Sequence, residues 1–87
     1  MTIEQKPGYH LVTIPKGVLG ETSKIAEELA ELEDAQAQMD RIMMLVELAD
    51  LYGAVELFLE KYFPGMSMED LQRFSATTRR AFVNGRR

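Results

Sequence analysis

Apolar residues fall into three blocks along the chain, each with its own period. Ile25, Leu29 and Leu32, with Ala26 beside them, follow helical spacing across a stretch free of Gly and Pro from residue 21 to Gly53. The spacing predicts a first helix from about residue 21 that ends between residues 34 and 38. Asp40 is a natural N-cap for a second helix over 41–62, which must stop before Phe63, Pro64 and Gly65. The intervening "DAQAQMD" holds no breaker, so the join is weakly marked. Ser67 followed by Asp70 resembles a capping box for a third helix with Leu71, Phe74, Ala81 and Phe82 as its apolar face and Asn84 or Gly85 as its stop. Pro7, Gly8, Pro15, Gly17 and Gly20 interrupt any pattern over residues 1–20, which predicts an irregular N-terminal arm. The fold class is therefore all-α: a helical hairpin plus a short C-terminal helix, in one domain over 21–87.

The second helix carries a further expectation. Fourteen of the eighteen residues over 42–59 are apolar and cover nearly the whole circumference. Leu45, Leu48, Tyr52, Val55 and Leu59 form one face, and Met43, Leu51 and Ala54 the opposite one, beside Glu47 and Asp50. Such a helix must be surrounded, and a single hairpin cannot do it. The expectation is an oligomer whose core includes this helix from two chains. Gly53 in mid-helix costs about 1 kcal/mol against alanine and suggests close backbone packing.

Composition narrows the function classes. With no cysteine and a single histidine, His10, thiolate sites and the common zinc arrangements are excluded, while oxygen-ligand metals are not. A net charge of −4 argues against general nucleic-acid or anionic-membrane binding. Arg73, Arg79, Arg80, Arg86 and Arg87 nonetheless gather near the end, where they can meet phosphate. The first ten residues lack the pattern of an export signal, so the expected location is cytoplasmic. Glu47, Asp50 and Glu56 interrupt the one span-like segment at about 2.5–3.5 kcal/mol each on insertion scales, so no membrane span is expected.

The acids inside the apolar block are the chemical signal. Glu28 and Glu31 are spaced i, i+3, as are Glu47 and Asp50, so each pair projects from one helix face. Fifteen residues separate Glu31 from Glu47, which places the pairs at similar height in an antiparallel hairpin. "EELAELED" alone reads as a solvated helix face. Glu47 and Asp50 sit where that reading offers no water, and four converging carboxylates repel unless a divalent cation joins them. All-oxygen ligands select a hard ion, and magnesium, which keeps water and adds substrate phosphate, suits the set better than calcium.

The pattern E-E-x-x-E at Glu27, Glu28 and Glu31, followed by E-x-x-D at Glu47 and Asp50, resembles the signature of the MazG-like all-α nucleoside triphosphate pyrophosphohydrolases. "GETSKIAEELAELEDA", "ELADLYGAVE" and "AFVNGRR" are similar to the short phage and bacterial members, over roughly residues 16–87. The resemblance implies Mg²⁺-dependent hydrolysis of a (deoxy)nucleoside triphosphate to the monophosphate and pyrophosphate in nucleotide-pool control, by a homodimer or tetramer with four-helix-bundle cores; Mn²⁺, another hard ion that oxygen ligands suit, can substitute. It implies Glu28, Glu31, Glu47 and Asp50 as metal ligands and Glu27 as the residue that orients or deprotonates water.

Hydrolysis between the α and β phosphates also needs cationic side chains. Lys24, one turn before Glu28, is the first candidate, followed by Arg79 and Arg86 with Asn84, which can reach a partner's site across a dimer. Lys61 and Arg80 are weaker. Tyr9, His10 and Lys16 lie in the arm, where a ring can cover a nucleobase, although His10 reads more simply as a surface residue. The competing reading is a catalytically silent helical dimerisation or regulatory module with a structural divalent ion.

Overall fold

The computed structural model describes residues 10–83, with backbone alone for 80–82. Three helices follow in order, α1 (Thr22–Ala37), α2 (Arg41–Tyr62) and α3 (Met68–Val83), and the described residues contain no strand. The expected stop of α3 at Asn84 or Gly85 lies outside the described residues.

Local chemistry accounts for the boundaries. Asp40 caps α2 by accepting the Met43 amide at 3.1 Å. Ser67 and Asp70 cap α3 reciprocally: the Ser67 amide donates to Asp70 Oδ2 at 2.9 Å and the Asp70 amide to Ser67 Oγ at 3.2 Å. The join without a glycine ends α1 by placing Met39 in the left-handed region, at φ 57°. The Asp40 amide then reaches back to the Ala35 carbonyl at 3.1 Å. A methionine in that conformation costs roughly 1–2 kcal/mol.

α1 and α2 pack as a hairpin, whereas α3 packs extensively on neither. The far end of the hairpin is tied by Glu21, which takes both Lys61 and the Tyr62 hydroxyl, the latter at 2.6 Å. The radius of gyration is 15.3 Å, against about 12 Å for a compact domain of this length.

The hairpin interior is unusual in what it buries. Its buried apolar residues are Ala35, Ala54 and Leu59, while Glu27, Glu28, Asp34 and Glu47 are buried alongside them. The long apolar side chains point outward instead: Leu45 is 69% exposed and Ile42 75%, with Leu48 and Tyr52 also open. α2 therefore turns its acidic face to α1 and leaves the face of Leu45, Leu48 and Tyr52 uncovered. An apolar groove of about 630 Å³ runs there between Leu32, Ile42, Met44, Leu45 and Leu48.

Gly53 departs from expectation. A Cβ placed on it would meet nothing within 4 Å, so it marks open space rather than close backbone packing. Among the described residues no helix is long and apolar enough to cross a membrane.

Candidate metal centre

The hairpin brings the four predicted carboxylates together. Glu28 and Glu31 on α1 and Glu47 and Asp50 on α2 each offer an oxygen, and these atoms all lie within 4.8 Å of one another. The i, i+3 spacing puts each pair on one face, and the short turn sets both pairs at one height. Glu28 is 5% exposed and Glu47 3%. Each keeps a buried Oε1 with no hydrogen-bond partner. An orphaned buried carboxylate oxygen costs a few kcal/mol, so two of them on members of one carboxylate cluster mark a place for a cation.

The electrostatics agree. Burial, then the charges of Glu28 and Glu27, push the Glu31 carboxyl up to about 7. Burial and neighbouring Asp50 raise Glu47 in the same way. Oxygen-only donors of this kind fit Mg²⁺ or Mn²⁺.

Lys24 stands at the rim. Its Nζ donates to Glu28 Oε2 at 2.9 Å and to Glu27 Oε1 at 3.2 Å, and the bond to Glu28 leads the effects that raise its pKa. A cleft of about 520 Å³ opens beside it, bounded by Leu19, Lys24, Glu28, Asp50, Gly53 and Leu57. The bare helix surface at Gly53 forms part of its wall.

Glu27 lies outside the four-carboxylate cluster. Its Oε1 accepts the Gly17 amide at 2.8 Å as well as Lys24, and Lys16 Nζ is 3.8 Å from Oε2. Burial alone would raise this carboxyl, but the Gly17 amide and Lys24 outweigh it and hold it below the ordinary range. Arg79 is exposed on α3 and is not among the residues that form the cluster or line the cleft. Asn84 and Arg86 lie outside the described residues, as does Tyr9.

His10 is not a surface residue, contrary to the sequence reading: it is 7% exposed. Its Nδ1 sits 3.3 Å from Asp34 Oδ2 and its Nε2 4.0 Å from Glu31 Oε2. Asp34, which periodicity placed merely near the end of α1, holds the arm. It accepts the Leu11 amide at 2.8 Å, the Val12 amide at 3.4 Å and Gln38 Nε2 at 2.9 Å. Burial works against its ionised form, yet these donors keep its carboxyl below the ordinary range. A signal for Asp34 was present, since it continues the row Glu28, Glu31 at the same spacing of three. His10 had none, because its place depends on how the arm folds back.

No protein-family model, curated protein or solved structure matches the chain.

Proposed function

We propose that the chain is a Mg²⁺-dependent nucleoside triphosphate pyrophosphohydrolase that releases pyrophosphate and a (deoxy)nucleoside monophosphate. The observation that carries this reading is the convergence of Glu28, Glu31, Glu47 and Asp50 around two orphaned buried oxygens, beside a cleft with a cation at its rim. The resemblance of the acidic pattern to the MazG-like enzymes supports it independently of the geometry.

Glu28, Glu31, Glu47 and Asp50 would hold Mg²⁺, with Mn²⁺ able to replace it. A bound divalent ion supplies charge neutralisation at the triphosphate and acidifies water for attack at the α phosphorus. The side chains do the rest. Lys24, now paired to Glu28, is placed to exchange that partner for a phosphate oxygen once Glu28 turns to the cation. Leu19 and Leu57 give the cleft apolar walls, and Gly53 leaves room between them. Glu27 holds Lys24 and the arm in position, and orienting the attacking water is its further candidate role. Arg79, Asn84 and Arg86 are proposed to contact substrate from a neighbouring copy in a homodimer or tetramer.

The test is a panel of NTPs and dNTPs with Mg²⁺ or Mn²⁺ that reads pyrophosphate and orthophosphate separately. Pyrophosphate with monophosphate supports the proposal. Orthophosphate with diphosphate, or no turnover on any nucleotide, overturns it; cation binding without turnover favours a silent helical module with a structural ion.

A further inference from the structure

We propose that His10 supplies a nitrogen donor to the acidic centre, and that His10, Glu31 and Glu47 form a second cation position suited to Mn²⁺ or Co²⁺ rather than Mg²⁺. This rests on the reading of the four carboxylates as a metal centre and extends it to a residue of the N-terminal arm.

Ligand atoms of His10, Glu31 and Glu47 lie within 4.8 Å of one another. Three donors about 2.1 Å from a common ion stand mostly about 3–3.6 Å apart, so pairs at the outer limit must close by about 1–2 Å, a movement within reach of glutamate side-chain rotation. Glu47, which is common to both groups, is 3% exposed and keeps a buried oxygen without a hydrogen-bond partner. Glu31 and Glu47 belong to both sets, and each carboxylate has two oxygens, so both positions can be filled without recruiting another residue.

The ring's orientation adds a separate argument. Asp34 Oδ2 faces Nδ1 at 3.3 Å, which turns Nε2 towards Glu31. A carboxylate beside the far ring nitrogen is a common neighbour of metal-bound imidazoles; here Asp34 approaches Nδ1 at ion-pair distance, without hydrogen-bond geometry. Asp34 is itself committed to Leu11, Val12 and Gln38, so it acts as the positioning residue. Imidazole as a donor shifts preference from Mg²⁺ towards transition metals.

Pulsed EPR of the full chain titrated with Mn²⁺, alongside calorimetric stoichiometry, tests this without measuring activity. Wild type is expected to bind two equivalents per chain and to show imidazole ¹⁴N coupling. His10→Asn should lose that coupling and weaken one equivalent by about tenfold or more, while Asp50→Asn weakens the other and keeps the coupling. Mn²⁺ bound by wild type without nitrogen coupling overturns the role of His10 alone. No Mn²⁺ binding at all overturns the carboxylate centre with it. The wild-type spectrum decides even if a variant fails to fold, and circular dichroism checks each variant.

Discussion

Gly17 donates its backbone N–H to Glu27 Oε1 at 2.8 Å, ten residues along the chain. This bond joins the irregular arm to α1, and a side chain at Gly17 would collide with the Ser23 carbonyl. Glu27 thus has a structural duty whatever its part in chemistry. Glu27→Gln keeps an acceptor for Gly17 but loses the charge that Lys24 faces, and should cost about 1–3 kcal/mol in urea unfolding. Because its folded pKa is depressed, its contribution is present above the unfolded value near 4.5 and fades as pH falls through the folded value. Slower turnover in Glu27→Gln with unchanged stability and metal binding would instead assign it to the attacking water.

Glu31 and Glu47 predict the opposite slope. Their carboxyls are raised, Glu31 to about 7, so the native state holds protons that the unfolded chain has released above about 4.5. Their contribution is full below the unfolded value and disappears as pH rises through the folded one. In EDTA, melting temperature should therefore fall between pH 5 and 8, and Mg²⁺ or Mn²⁺ should restore it most strongly at pH 8. Equal melting temperatures at both pH values in EDTA would contradict the crowding of these acids.

Neutralising one acid separates stability from activity. Glu47→Gln or Asp50→Asn removes a like charge from the cluster, so without metal the variant should gain about 0.5 kcal/mol or more. Nucleotide hydrolysis should fall by about 100-fold or more, with unchanged helical circular dichroism. A variant with near wild-type turnover would remove these residues from the metal centre.

The parts of this architecture that are local were legible in the sequence. Asp40, the Ser67 and Asp70 pair, and Pro64 with Gly65 each set a helix end through contacts within a few residues. The four carboxylates were legible because two i, i+3 pairs and a short turn nearly determine their meeting. What depended on the arm was not: His10 and Asp34 are brought together across twenty-three intervening residues by a segment with no periodicity. The apolar positions of α2 alone carry no directional signal, and it is the expected convergence of Glu47 and Asp50 with the acids of α1 that indicates which side meets α1. Leu59 is buried, whereas Ile42, Leu45, Leu48 and Tyr52 are left outside.

Gly53 offers a test of the cleft. A methyl group there meets open space, so Gly53→Ala should raise the urea midpoint, with about 1 kcal/mol gained from helix propensity. Gly53→Leu would project into the space between Leu19, Asp50 and Leu57 and should raise KM several-fold while leaving metal affinity unchanged. If Gly53→Leu turned over nucleotide like wild type, the substrate would have to bind elsewhere.

The exposed face of α2 makes the last prediction. Ile42, Leu45, Leu48 and Tyr52 are each at least half exposed, and burying a side chain of this size is worth about 1.5–3 kcal/mol. A contiguous apolar strip of that kind is hard to sustain in water, whereas a second copy offers the same strip in return. Light scattering should give a dimer or tetramer at micromolar concentration. Leu45→Glu combined with Leu48→Glu should dissociate it, since pairing the two strips would bury unpaired charge. Of the proposed metal ligands, Glu47 and Asp50 lie on the other side of α2, so a dissociated variant that stays helical should still bind Mn²⁺. If it also loses turnover, the neighbouring copy contributes to the substrate site, as proposed for Arg79 and Arg86; a monomeric wild type would leave that role without support.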